Sequence, residues 1–195
     1  MKIAGALAAG LAACMAAAIA APAGWSVQDF PARGFSVAVP AGWSADPGYH
    51  DRGYGYYQGY PEDQIAGVRI DAPDGLQPET NLRSDESYLL VERLERAPGA
   101  CKAGDFIVDP PADFQIFDER HDGDHALLTS GDPGGMAVYE DSVSVLAHVP
   151  CIAVHEVIAF APADGFGKGE TPFDHARMKA AMDAIRATVV VHPVE

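Results

Sequence analysis

The chain has 195 residues, 13 of them basic and 28 acidic, for a formal charge of −15 at neutral pH. A field of that sign excludes nucleic acid and anionic lipid surfaces as expected partners and suits cationic partners or cations. Hydrophobic content of 48% is that of a globular chain, and no stretch reads as disordered or as an internal repeat.

Residues 1–23 read as a secretory leader. Lys2 supplies a positive start, Ile3 to Ala21 carry no charge, and Ala21-Pro22-Ala23 sets small residues before a cut at Gly24. Two other readings stand beside cleavage. A transmembrane anchor needs about 20 strongly apolar residues, whereas this stretch is mostly Ala and Gly and lacks a positive flank after it. Leu11-Ala12-Ala13-Cys14 matches a bacterial lipoprotein cut that would leave Cys14 acylated. Against lipidation, the apolar run before Leu11 is short, and the residues after Cys14 are apolar rather than a polar tether. The expected form is therefore a periplasmic or secreted protein, with a membrane involved only if Cys14 is lipidated.

Removing 23 of 195 residues leaves 172, enough for a single globular domain over 24–195 with a sizeable core. Lys2 leaves with the leader, so 12 basic and 28 acidic residues remain, a formal charge of −16. Cys14 leaves too. In an oxidising compartment the remaining Cys101 and Cys151 are expected to form one disulfide. Closing that loop of 50 positions is worth about 4 kcal/mol on the chain-entropy argument. Neither cysteine has a CxxC or CxH neighbour that would argue for metal or redox chemistry.

In chain order, Phe35, Val37 and Val39 alternate with Ser36 and Ala38 as a strand, stopped by Pro40 and Gly42, with Trp43 placed to plug the end of the core. Residues 49–60, YHDRGYGYYQGY, read as an exposed strand or hairpin edge. Ile65–Asp71 is a further strand, closed by the Pro73-Asp74-Gly75 turn. Residues 84–96 predict a helix. Ser84 would be its N-cap, Asp85 and Glu86 would lie in the first turn, and Tyr88, Leu90, Val91 and Leu94 would form its apolar face. Arg93 and Arg96 would sit near its end, before Pro98-Gly99. DFQIFDER and HALLTSG flank a His121-Asp122-Gly123-Asp124 hairpin turn. MAVYEDSVSVLAHV and CIAVHEVIAFAP are two long strands, the second central. A last helix is expected with Thr171 as N-cap, Pro172 in its first position and Asp174 reaching back to the cap. Met178, Ala181, Met182 and Ile185 make its apolar stripe, and residues 187–191 run into a short final strand. The order predicts an α+β domain, an antiparallel β-sheet layered with helices.

GFSVAVPAGW at the start and FDHARMKAAMDAIRATVVV at the end carry a resemblance to the PsbP-like fold. That fold is shared by photosystem-associated lumenal proteins and many exported bacterial proteins. In the group an early F-x-V-x-x-P-x-G-W strand and a final amphipathic helix bracket the sheet. The resemblance implies an α/β/α sandwich and a non-catalytic accessory or binding role. It carries over no catalytic residue and no cofactor, and the tyrosine-rich segment and the cysteine pair fall outside it.

Candidate chemistry is sparse. His121, Asp122, Asp124 and His125 gather two imidazoles and two carboxylates on one turn, suitable ligands for zinc or a similar ion. The plainer reading is a polar hairpin turn shaped by Asp-Gly, with no metal. His148 and His155 lie on the long strands without a Gly-x-Ser-x-Gly or His-Glu-x-x-His signature, and read as histidines on the solvent side of a sheet. Tyr54, Tyr56, Tyr57 and Tyr60, with Tyr49, offer rigid amphipathic contact area and form the candidate binding patch. The function expected is an exported, non-enzymatic accessory or binding protein for a protein or small-molecule partner. The alternatives are a metal-dependent hydrolase on the His121–His125 turn, or the same domain anchored through Cys14.

Overall fold

The computed structural model describes residues 21–49, 65–94, 101–107, 112–163, 167 and 169–192. The leader as far as residue 20, Cys14 included, lies outside them, as do Tyr54, Tyr56, Tyr57 and Tyr60.

The first strand, β1 (Trp25–Phe30), begins one residue after Gly24 and pairs antiparallel with β2 (Phe35–Pro40), which in turn pairs with β10 (Val190–Val191). The second sheet has seven antiparallel strands. Its order is β3 (Ser44–Asp46), β4 (Ile65–Asp71), β5 (Tyr88–Leu94), β9 (Cys151–Phe160), β8 (Val138–His148), β7 (His125–Gly131) and β6 (Gln115–Asp122). One α-helix, α1 (His175–Arg186), stands among the described residues. The class is α+β.

Side chains alternate across a strand, so each strand of the large sheet serves two faces. Val68 and Ile70 of β4, Leu89 and Val91 of β5, and Ile152 and Val154 of β9 point to one face. There they meet Phe35, Val37 and Val39 of β2 and Ile185 of α1 in the main core. A second cluster on this face joins Met178 and Met182 of α1 to Ala72 and Ile158. Trp43 packs against both clusters, closing the end of the core as its position predicts. The other face of the sheet carries Leu94, Ala126, Val143, Cys151 and Ala153, covered by Cys101, Ala103 and Phe106.

The helix expected over 84–96 is not formed. Ser84–Glu86 make a single 3-10 turn, and Tyr88–Leu94 continue as β5, paired on one side with β4 and on the other with β9. Leu, Glu and Arg favour a helix only weakly, and burial on both sides of a sheet overrides that preference. Tyr88, Leu89, Leu90 and Val91 are all buried. Four consecutive apolar residues suit a strand covered on both faces better than a helix with one wet side.

The last helix forms, but its cap lies further along. Asp174 is the N-cap and accepts a hydrogen bond from Arg177 N at 2.9 Å. The amides of Phe173 and Asp174 donate instead to the side chains of Asn81 and Gln77, at 2.8 and 2.7 Å. The amide of Thr171 donates to Glu79 O at 3.0 Å. These tertiary bonds hold residues 171–174 extended and postpone the first turn.

Candidate functional site

Strand β9 lies between β5 and β8, and nine of its ten residues are buried. Its two ionisable residues, His155 and Glu156, are sequence neighbours, so they point to opposite faces and each must be paired inside the protein.

On the disulfide side, His155 is 5% exposed and its ring reaches two buried carboxylates. Nδ1 lies 3.1 Å from both oxygens of Asp141 on β8, and Nε2 lies 3.1 Å from Glu92 Oε2 on β5. Only the imidazolium has an N–H on each nitrogen, so this arrangement selects the charged ring, donating to both acids. Burial alone would push the ring's pKa down. The charges of Asp141 and then Glu92, with their hydrogen bonds, outweigh burial and hold it well above the ordinary histidine value. Phe106 stacks edge-on to the ring with centroids 6.1 Å apart. The expectation that His155 faces solvent is therefore corrected. Glu92 was hidden by the helical reading of its segment, and the meeting of Asp141 with His155 depends on the β8–β9 register. The usable signal was His-Glu in the middle of an otherwise apolar run.

On the helix side, Glu156 meets Lys179 and Arg186 of α1, with Arg186 Nε 2.8 Å from its Oε1. Asp183 completes the network by pairing with both cations. Burial raises the Glu156 carboxyl's pKa, against the pull of Lys179 and Arg186. The strand thus carries an enclosed cation on one face and an enclosed anion on the other.

Cys101 and Cys151 stand at disulfide distance, with Cα atoms 5.6 Å apart. The bond ties residues 101–107 to the start of β9, on the face that holds His155. The hairpin turn supports the same segment. Gly123, at φ +57, takes the first central place of the two-residue turn, where a left-handed backbone is needed. Its carbonyl accepts from Ala103 N at 3.0 Å. The ring of His121 lies against Gly104, where a Cβ would come within 2.5 Å of Nδ1. His148 Nδ1 lies 3.2 Å from Cys101 O, and its Nε2 lies 3.3 Å from Asp124.

The histidines of the candidate metal turn are not brought together. His121 pairs in register with Ala126 and His125 with Asp122, so the two rings point to opposite faces. His121 Nε2 lies 2.7 Å from Glu119, and His125 Nδ1 lies 3.2 Å from Ser144 Oγ. Among the described residues no group of three or more His, Cys, Asp or Glu is placed to hold a metal ion.

Of the tyrosine-rich segment, Tyr49 is described. It packs against Tyr88, Leu90 and Val157. Arg69 lies beside it, its guanidinium 3.9 Å from the centre of the Tyr88 ring and 5.9 Å from that of Tyr49. Tyr49 thus lies on the same face as His155, beside Arg69 and Tyr88.

These features define an α+β protein with two buried charge networks and a disulfide-tied cover. No protein family and no curated protein sequence matches the chain. Among solved structures it is similar to the Ran-binding protein Mog1p of Saccharomyces cerevisiae, at 12% identity, covering 87% of this chain and 96% of that one, with a TM-score of 0.41. It is also similar to cyanobacterial PsbP (CyanoP) from Synechocystis, at 13% identity, covering 92% and 99%, with a TM-score of 0.41. A protein of the PsbP-like group is thus among the structures it resembles, and at this identity the likeness concerns the fold alone.

Proposed function

We propose that the chain is an exported accessory or binding protein that performs no catalysis itself and works in the periplasm or outside the cell. The observation that carries this reading is the Cys101–Cys151 pair at disulfide distance, because such bonds persist in oxidising compartments. The leader-like residues 1–23 agree with it.

The binding part of the reading rests on two further features. The ring nitrogens of His155 are both occupied by carboxylates in a buried site, which suits a structural role better than proton transfer to a substrate. Tyr54, Tyr56, Tyr57 and Tyr60 come shortly after Tyr49 in the chain, and we assign the contact surface to them. With a formal charge of −16 after loss of the leader, a partner with a cationic surface, protein or small molecule, is the best complement.

Fractionation tests export. The full chain expressed in a bacterium should appear in the osmotic-shock fluid, and the chain lacking residues 1–23 should stay in the cytosol. Recovery of both forms from the cytosol would overturn the proposal.

A further inference from the structure

We infer that strand β6 is a docking edge for an extended, basic segment of a partner protein, which joins the large sheet as one more strand. The inference rests on the reading of the chain as a binding protein and adds a contact made by main chain.

The strand order ends at β6, and among the described residues β6 has β7 as its only neighbour. The opposite edge, β3, is three residues long, whereas β6 has eight, seven of them exposed. Asp122 and His125 pair in register and flank the two-residue turn Gly123-Asp124, so they form the closely spaced, hydrogen-bonded pair of the hairpin. Bonded pairs recur at every second residue, at Arg120 with Leu127 and at Asp118 with Thr129. The N–H and C=O groups of Glu119 and His121 therefore point away from β7, toward the open edge.

An apolar anchor stands at the start of the strand. Ile116 and Phe117 are 47% and 53% exposed, although open edges usually avoid large apolar groups. Phe117 sits where the register with β7 shifts. Its ring lies against Gly131, where a Cβ would come within 2.8 Å of it. Glycine at 131 thus gives the ring a seat, and a seated, half-exposed aromatic group suits packing against an apolar side chain of a partner.

Charge selects the occupant. The strand and its turn carry Asp118, Glu119, Asp122 and Asp124 against Arg120 and the His121 ring, in a chain of formal charge −15. A second copy would set a strand of the same net sign beside this one, which cross-strand pairing disfavours. An extended segment that alternates basic and apolar residues meets the acids and Phe117 while its main chain bonds Glu119 and His121.

The test adds the blocked peptide Lys-Val-Lys-Val-Lys-Val-Lys in large excess to the purified protein and follows amide hydrogen exchange by NMR, with Glu-Val-Glu-Val-Glu-Val-Glu as control. Exchange at the Glu119 and His121 amides should slow by about tenfold or more with the basic peptide. The Asp118 and Arg120 amides, already bonded to β7, should stay as they were, and the acidic peptide should have no effect. Glu119→Pro removes one outward N–H and leaves the β7 ladder its bonds, so it should abolish the protection at His121, whereas Glu119→Ala should keep it. Unchanged exchange at Glu119 and His121 in the wild-type protein would overturn the inference, as would equal protection by the acidic peptide. Protection elsewhere on the protein would overturn the β6 site alone and leave the binding reading standing. That reading fails by a different result, the absence of any cross-linked partner in the exported fraction.

Discussion

His155 and Asp141 meet across the β8–β9 ladder, with Nδ1 3.1 Å from each carboxylate oxygen and both residues under 10% exposed. Glu92 takes the other ring nitrogen. The centre of the sheet therefore encloses one imidazolium between two acids, and the protein's stability depends on that proton.

The sign follows from linkage. In the unfolded chain His155 gives up its proton near pH 6.5, while in the folded chain the neighbouring charges hold it well above that value. The stabilisation is complete below the unfolded value and is lost as pH rises through the folded one. Urea unfolding should show lower stability at alkaline pH than at pH 6, and His155→Gln should flatten that slope. Because the variant strands two buried acids, it should also lose about 3–5 kcal/mol at pH 6. A wild-type slope no steeper than the variant's would count against this account.

Arg186 presents the mirror case. Arg186→Ala leaves the buried Glu156 with Lys179 as its remaining cation, and urea midpoints should register a loss of about 1–3 kcal/mol. Replacing the pair with Met at Arg186 and Leu at Glu156 should recover most of it, since an apolar pair of similar volume needs no desolvated charge. A double variant no more stable than R186A would show that packing, not the stranded carboxylate, sets the cost.

The position of the helix cap is open to a direct comparison. Asp174→Ala should cost about 1 kcal/mol of thermal stability, because its side chain accepts the Arg177 amide. Thr171→Ala should change stability by under about 0.5 kcal/mol. The reverse order would restore Thr171 as the cap.

Much of this architecture was legible in the chain. Ile65–Asp71 alternates and pairs along its length as β4, and Trp43 closes the core at the place its Pro-x-Gly-Trp context marks. What escaped was decided by distant partners. SYLLVERL carries a helical spacing as well as a run of four apolar residues, and pairing with β4 and β9 decides for the strand. With that segment read as a helix, Glu92 could not be placed opposite His155, and the charge cluster went unseen. The turn at 121–125 was legible as a turn, but the face each histidine takes depends on register, and register sends them apart.

The tyrosine surface gives a prediction of its own. Replacing Tyr54, Tyr56, Tyr57 and Tyr60 together with Ala should remove the interaction with a partner identified by cross-linking in the exported fraction. Far-ultraviolet dichroism and the melting temperature should stay near those of the wild type. Undiminished cross-linking would move the contact surface elsewhere.

The most direct measurement for the central claim is the intact mass of the protein recovered from the exporting cell, taken with and without a reductant. The account predicts a chain beginning at Gly24 that gains two hydrogens on reduction, as the Cys101–Cys151 bond opens. A chain still beginning at Met1 with both thiols free would contradict it, and a lipid-modified Cys14 at the N-terminus would replace the soluble form with a tethered one.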